Sequence, residues 1–424
     1  MSAKAKPVAA VILAAGLGRR MNSDLPKVFH EAAGRPLLGH VLDAVHEVGI
    51  KRLGVVVSAQ NGFFRSFLSG AETFVQKKRL GTGHAVMQAE SRFQNWKGDL
   101  LVLPGDAPCI QGETLRELVK KHRQHSAAAT ILTAKVENPK GYGRILRRGN
   151  RVVGIREELD ANGSERKIRE VNSGIYVFHS RALFKRLREM SRNQRKKEYY
   201  LTDAIEAFHR AGEFVQTYRL RDEREILGVN TRRELEVAHR ILSERELNRH
   251  SKAGVTILAP SQTVIAKGVK IGRDTVIHPF SWIERNVVIG KKCEIGPYAK
   301  IRAGSRIENG VVIGSFVEVA RSKIGSGTFV KHLSYLGDAQ VGKQVNVGAG
   351  TITANFDGRR KNKTIVEDRV LLGCDTILVA PVKVGKGAKT GAGAVVCARQ
   401  SVPRGKTVVG VPAKLMRHRK RFKN

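Results

Sequence analysis

Between Ile265 and Ile313 an isoleucine stands at every sixth position: Ile265, Ile271, Ile277, Ile283, Ile289, Ile295, Ile301, Ile307 and Ile313. This period matches neither the turn of an α-helix, about 3.6 residues, nor the alternation of an ordinary strand; it predicts a parallel β-helix with three hexapeptides per coil. Ile265, Ile283 and Ile301 then share one inner wall, and Ile271, Ile289 and Ile307 the next. Each buried isoleucine contributes about 1.5–3 kcal/mol, so stacking supplies a core that no single coil could form alone. A second run, Val366, Leu372, Leu378, Val384, Thr390, Val396, Val402 and Val408, continues the rhythm and ends at Gly410-Val411-Pro412. Between the runs, the steps Val319 to Ile324 and Leu336 to Val341 contract to five residues, and Ala354–Lys363 delays the return to register. Such breaks are expected at functional or strained sites, although a plain surface bulge satisfies the periodicity equally well. The broken stretch carries His332, Tyr335, Asn346 and Asn355.

The first half has a different pattern. Val8–Ala14, Arg52–Val57, Leu100–Leu103, Ala128–Lys135 and Gly174–Phe178 read as strands, and Leu37–Val48, Thr82–Gln94 and Thr114–Gln124 as helices between the early ones. This alternation predicts an α/β domain with a mostly parallel sheet, whose ligands bind in the loops after the strands. Arg232–Arg249 carries Leu235, Ala238 and Leu242 at helical spacing amid alternating charge and reads as a linking helix. The expected organisation is α/β plus all-β: a domain over 1–230, a linking helix over 231–251, the β-helix over 252–412 and a basic tail over 413–424.

The length, 424 residues, exceeds what one core usually supports. Lys+Arg 76 against Asp+Glu 38 gives a formal charge of +38, a field that attracts phosphates, nucleic acids and acidic membranes alike. Nucleic-acid association is therefore permitted by charge, but no motif supports it. Cys109, Cys293, Cys374 and Cys397 lack disulfide-framework or zinc-finger spacing, which fits a reducing cytoplasm. Val8–Gly16 follows Lys4 and Lys6 like a short signal peptide but runs directly into Arg19-Arg20. No apolar stretch is long enough to span a membrane, so integral membrane association is not expected.

After the opening strand comes Leu13-Ala14-Ala15-Gly16-Leu17-Gly18-Arg19-Arg20-Met21, where small residues let backbone N–H groups approach a phosphate and Arg20 adds charge. Alone, such a turn merely starts a helix as often as it binds. With Pro26-Lys27 behind it, the segment resembles the sugar-phosphate nucleotidyltransferases, whose signature is LAAGxGxRM and a PK pair. The whole chain is similar to a bifunctional bacterial family that acetylates glucosamine-1-phosphate and uridylylates the product to UDP-N-acetylglucosamine. The resemblance extends through Leu80-Gly81-Thr82-Gly83-His84-Ala85, Pro104-Gly105-Asp106, Gly141-Tyr142-Gly143-Arg144, Glu198-Tyr199-Tyr200-Leu201-Thr202-Asp203 and Gly228-Val229-Asn230. It continues in His332-Leu333-Ser334-Tyr335-Leu336-Gly337-Asp338, Asn346-Val347-Gly348-Ala349-Gly350-Thr351 and Asn355-Phe356-Asp357-Gly358.

The resemblance implies a Rossmann-like nucleotidyltransferase domain, a left-handed parallel β-helix of hexapeptide repeats, and a homotrimer. It also implies two reactions. In one, the phosphate of N-acetylglucosamine-1-phosphate attacks the α-phosphorus of UTP and releases pyrophosphate. The nucleophile is already an anion, so positioning and charge neutralisation are the main demands. Asp106 and Asn230 would hold Mg²⁺, Arg20 and Lys27 would neutralise phosphate, and Leu13, Ala14, Ala15, Gly16 and Gly105 would border the nucleotide. Gln76, Gly81 and Thr82 would read uracil, and Gly143, Glu157 and Asn172 would hold the sugar. In the other reaction acetyl-CoA acylates the amine of glucosamine-1-phosphate. An ammonium must lose its proton before it attacks a thioester, and His332 matches the position of the base. Arg302, Tyr335, Asn346, Asn355 and Phe356 would form the substrate site, and Ala349, Cys374 and Ala392 would lie near acetyl-CoA.

The chain departs from the family pattern at several positions. Ala320 follows Phe316-Val317-Glu318-Val319 where a lysine is common, with Arg321 and Lys323 as nearby cations that could compensate. Phe356 stands where tyrosine is common and Gly410 where arginine is frequent; Leu17, Arg79 and Pro104 differ in the first half. The Ala320 departure leaves open a uridylyltransferase whose β-helix serves only assembly; the combination of these two domain types also leaves open a noncatalytic regulatory scaffold, against which the retained Lys27, Asp106 and Asn230 argue.

Overall fold

The computed structural model describes residues 6–59, 64, 67–68, 70–193 and 197–416. The basic residues Arg417, Arg419, Lys420, Arg421 and Lys423 of the expected tail lie outside them. The chain divides into two compact units, Met1–Ala32 with Pro36–Ile241, and Ala33–Arg35 with Leu242–Asn424.

The first unit is organised on a nine-stranded sheet. Its strands are β1 (Val8–Ala14), β2 (Arg52–Ser58), β3 (Glu72–Gln76), β4 (Asp99–Pro104), β5 (Ala129–Lys135), β6 (Arg144–Arg148), β7 (Arg151–Arg156), β8 (Glu170–His179) and β9 (Val215–Arg219). Their order is β9-β5-β8-β4-β1-β2-β3, with β6 attached to β8 and β7 to β6. Central β1 pairs in parallel with β2 and β4 and is apolar on both faces: Ala10 and Ile12 enter one core, Ala9 and Val11 the other. A strand buried on both sides needs this continuous apolar run.

The sheet is parallel along most of its path, as expected, but β8 runs antiparallel to β4, β5 and β6, and β6 turns into β7 through a Gly149-Asn150 hairpin. One expectation fails. The helix expected over Thr82–Gln94 is two: α2 (Thr82–Met87) and α3 (Glu90–Phe93), following α1 (Leu37–Glu47). The amides of Gln88 and Ala89 donate to Ala85 and Val86, three residues back, and this tighter turn re-aims the chain so that Phe93 is buried. Among the described residues the chain continues with the α-helices α4 (Gly112–Gln124), α5 (Ser180–Arg188), α6 (Asp203–Arg210) and α7 (Arg232–Lys252). α7 runs three residues beyond the expected Arg249, and the boundary between the units falls within it.

The second unit is a coil with three walls, sheets of ten, eight and eight short parallel strands, the ten-stranded sheet closing on one antiparallel strand. Ile265, Ile283, Ile301, Val319 and Leu336 pair in succession down one wall. Ile271, Ile289, Ile307, Ile324 and Val341 pair down the next, and Ile277, Ile295, Ile313, Val330 and Val347 down the third. The isoleucine ladder is thus the core, fully buried except near the amino end, where Ile271 is half-buried. Corners recur with the same six-residue beat at Gly268, Asp274, Phe280, Asn286, Lys292, Tyr298, Gly304 and Gly310, all at positive φ. Phe316 keeps the beat, the two five-residue steps then put corners at Arg321 and Asp338, and the walls stay in register. The excursion at 354–363 is a small loop closed by a Phe356–Lys361 bridge and braced by Asp357, which accepts from the amides of Arg359 and Arg360.

Candidate active sites

In the first unit a cleft of about 450 Å³ opens where β1, β3 and β4 end. It brings together Leu13, Ala14, Ala15, Gly16, Lys27, Gln76, Gly81, Thr82, Asp106, Glu157 and Asn172. Gly105 supports it from behind, donating its amide to Leu13 O (2.8 Å) as β4 ends beside β1. Gly143 O accepts from the Asn172 amide (2.8 Å), which ties the loop before β6 to β8. Arg20 does not line the cleft; it is exposed on a short 3₁₀ turn, Arg19–Met21.

The Lys27 ammonium, nearly buried, bonds to the Asp106 carboxylate and lies 2.8 Å from Asn230 Oδ1. A carboxylate and an amide oxygen from segments 79 and 203 residues away from Lys27 thus converge on one cation. Two hard oxygens so placed fit Mg²⁺, which keeps its other positions for water and substrate phosphate.

At one end of the cleft Gln76, where β3 stops, donates Nε2 to Gly81 O (3.0 Å), and His84 Nδ1 lies 3.1 Å from the same nitrogen. Burial, then the charge of Arg192, lowers the His84 pKa, favouring the neutral ring that can accept this bond. Gly81 has φ +97°, and a Cβ there would meet Tyr199 O at 2.5 Å; glycine is required by both conformation and space. At the other end Thr202 Oγ1 donates to Glu157 (2.9 Å), and Asn172 donates to the Tyr176 hydroxyl (2.7 Å). Asn172 and Tyr176, four residues apart on β8, share one face of the strand and both line the cleft, while the β5–β8 pairing shifts register between them. Tyr176, fully buried near Glu157, has its phenol pKa pushed well above the usual range, so it stays a neutral hydroxyl. Burial, then Glu157, Glu206 and Asp160, raises Asp203 to about 6.

In the second unit the candidate residues gather on an outer face. His332 ends the strand Phe329–His332 and is exposed. The pairings Val330 with Val347, Val347 with Leu372, and Leu371 with Lys389 place His332, Ala349, Cys374 and Ala392 in one column along a single corner. Ala349 O accepts from the Asp375 amide (2.7 Å), and Cys374 O from the Gly393 amide (2.8 Å), marking successive steps. Next to this column, Tyr335 pairs with Glu318, and its ring lies where a Cβ on Gly337 would stand. Arg302 donates to Glu318 (3.0 Å), and Asn355 donates to Asp338. Asn346 is exposed on the adjacent wall, opposite Phe329, and Phe356 projects at 61% exposure from the loop.

Of the two cations that follow Ala320, Arg321 lies beside Tyr335 and Asp338, whereas Lys323 pairs with Glu308 (3.0 Å) on another wall. Ala320 itself is fully buried. The sequence-based choice of site residues misses Tyr176 and the His84 brace, although Gly83-His84-Ala85 belongs to a motif that flags the segment. Arg321 and Asp338 are both visible in the sequence, one as a cation beside Ala320 and the other in the His332–Asp338 motif, but their pairing is not.

The MobA-like NTP transferase domain model matches residues 10–207. A bacterial transferase hexapeptide model of six repeats matches residues 286–321, and the hexapeptide repeat of succinyl-transferase matches 363–398. The coil is the left-handed parallel β-helix of hexapeptide repeats, and the first unit is a nucleotidyltransferase domain. The chain is 43% identical over 422 residues to the bifunctional protein GlmU of Desulfitobacterium hafniense (strain DSM 10664 / DCB-2), covering 92% of this chain and 93% of that one. It is 42% identical over 425 residues to the bifunctional protein GlmU of Syntrophomonas wolfei, covering 92% and 94%. With the GlmU of Geobacillus thermodenitrificans it shares 42% identity over 422 residues, covering 91% and 92%.

Proposed function

Since the chain belongs to the family of bifunctional GlmU proteins, we propose that it acetylates glucosamine-1-phosphate with acetyl-CoA and then transfers UMP from UTP to the product, giving UDP-N-acetylglucosamine and pyrophosphate. The observation that carries the first-unit reading is the convergence of Lys27, Asp106 and Asn230 in a cleft with a base-reading end and a sugar-holding end.

At that cleft Gln76, with its amide nitrogen committed to Gly81 and His84, presents its carbonyl oxygen to a donor such as the N3–H of uracil. Glu157 and Asn172 bind sugar hydroxyls, and the small residues Ala14, Ala15 and Gly16 leave backbone N–H groups for the triphosphate. Asp106 and Asn230 would hold Mg²⁺, which supplies charge neutralisation on phosphate oxygens. Lys27 adds a second cation, and the sugar phosphate is held for in-line attack on the α-phosphorus while pyrophosphate leaves.

At the β-helix, His332 accepts a proton from the ammonium of glucosamine-1-phosphate. The freed amine attacks the thioester carbonyl, and coenzyme A leaves as the thiol. The column of small residues Ala349, Cys374 and Ala392 would let the cofactor's arm lie along the corner toward His332. The acetylated product is the acceptor for uridylyl transfer, which accounts for two activities on one chain.

We also place the protein in the cytoplasm as a homotrimer that supplies UDP-N-acetylglucosamine for peptidoglycan and lipopolysaccharide synthesis. Among the described residues no helix is long and apolar enough to cross a membrane. The exposed, stacked corner rings Phe280, Tyr298 and Phe316 offer apolar surface for self-association.

A coupled assay tests the whole scheme: glucosamine-1-phosphate, acetyl-CoA, UTP and Mg²⁺ should yield thiol, pyrophosphate and UDP-N-acetylglucosamine. Pyrophosphate from supplied N-acetylglucosamine-1-phosphate, with no thiol from glucosamine-1-phosphate, would instead identify a uridylyltransferase whose β-helix serves assembly.

A further inference from the structure

We propose that Arg321 binds the phosphate of the amino-sugar acceptor at the β-helix site, supplying a cation that Ala320 cannot. The inference rests on the acetyl-transfer reading above.

The five-residue step from Val319 to Ile324 puts Arg321 itself at the corner, with φ +51°, directly after Ala320, which is fully buried. From that corner its Nε donates to Asp338 Oδ1 (2.7 Å) and its Nη2 to Asp338 Oδ2 (2.8 Å). Asp338 occupies the equivalent corner one coil later, also accepts from Asn355 Nδ2, and is thereby fixed. The Tyr335 side chain lies beside the guanidinium. Arg321 therefore stands among Tyr335, Asp338 and Asn355 rather than extending into solvent, and a third of its side chain remains exposed.

A guanidinium has more donors than this carboxylate takes. Asp338 takes two of the five donors along one edge of the fork, and even with Tyr335 alongside, donors remain for another anion; a planar fork suits phosphate oxygens. Lys361 acts on Asp338 along with Arg321, so this carboxylate has more than one cation near it, and Arg302 is matched by Glu318. Lys323 cannot share this role from its position, because its ammonium is 3.0 Å from Glu308 and its strand pairs at Gln340, on a different wall from Tyr335.

The test compares Arg321→Ala, Arg321→Lys and Lys323→Ala with wild type, following thiol release from acetyl-CoA with glucosamine-1-phosphate and, separately, with unphosphorylated glucosamine. Arg321→Ala should lose roughly 10- to 100-fold in kcat/KM with the phosphorylated acceptor, mainly through KM, and match wild type with glucosamine. Calorimetric binding of glucosamine-1-phosphate should weaken by a similar factor. Arg321→Lys should fall between, Lys323→Ala should match wild type, and uridylyl transfer should be unchanged in all three. Equal losses with both acceptors, no loss with either, or the same loss in Lys323→Ala would overturn the proposal. Absence of thiol release from wild type with either acceptor would overturn the acetyl-transfer reading itself.

Discussion

Asp106→Asn changes little in volume but removes the charge on which the first site converges. The Asp106 side chain is 19% exposed and its Lys27 partner 9%, so the pair is shielded enough for its loss to be felt. A hydrogen bond to a charged partner is worth about 1.5–3 kcal/mol, and Lys27 would retain Asn230 Oδ1 at 2.8 Å; urea unfolding should therefore show a loss in the lower part of that range. The effect on turnover should be larger. Removing one group that neutralises charge developing in the transition state typically costs about 10²–10³ in kcat, and the amide would also be a poorer ligand for Mg²⁺. Pyrophosphate release from UTP and N-acetylglucosamine-1-phosphate should fall by at least about 100-fold, while thiol release from acetyl-CoA stays at the wild-type rate. Retention of more than about a tenth of the wild-type turnover at saturating Mg²⁺ and UTP would refute the reasoning, because that loss is far below what a charged site ligand supplies.

Gly81→Ala adds a Cβ 2.5 Å from Tyr199 O at a positive φ; the neighbour is backbone, so the loop must move, at about 1–3 kcal/mol. The KM for UTP should rise roughly 5- to 150-fold on that scale, read in the same pyrophosphate assay. Ile301→Ala empties a fully buried position between Ile283 and Val319 and should cost about 2–5 kcal/mol, whereas Ile271→Ala, at a half-buried position, should cost less; denaturant unfolding ranks the two. Burial, then Arg249, lowers His250 from 6.5 to about 4. The unfolded chain then takes up a proton below pH 6.5 that the folded one refuses, and stability falls with pH until about 4, by at most about 1.4 kcal/mol per pH unit. Urea midpoints of His250→Asn measured from pH 4 to 7 should show a shallower decline than wild type.

The repeat at every sixth residue determined the coil by itself, because each inward side chain in a hexapeptide wall is set by local spacing and needs no knowledge of the rest of the chain. The segment around Gly16 and Lys27 likewise showed its chemistry in its residue types: small residues for close backbone approach and a cation for phosphate. Local pattern could not supply the antiparallel course of β8, because a strand's direction depends on which neighbours it meets. Nor could it divide the helix at Gln88 and Ala89, where a three-residue hydrogen-bond step competes with an otherwise helical pattern. Only the tertiary structure brought Lys27 to Asp106 and Asn230, residues far apart in sequence that meet where separate segments end together. It also decided between Arg321 and Lys323. Both follow the missing lysine, but one lies at a corner facing Asp338 and the other on a different wall, a distinction made by the turn of the coil and invisible in their spacing.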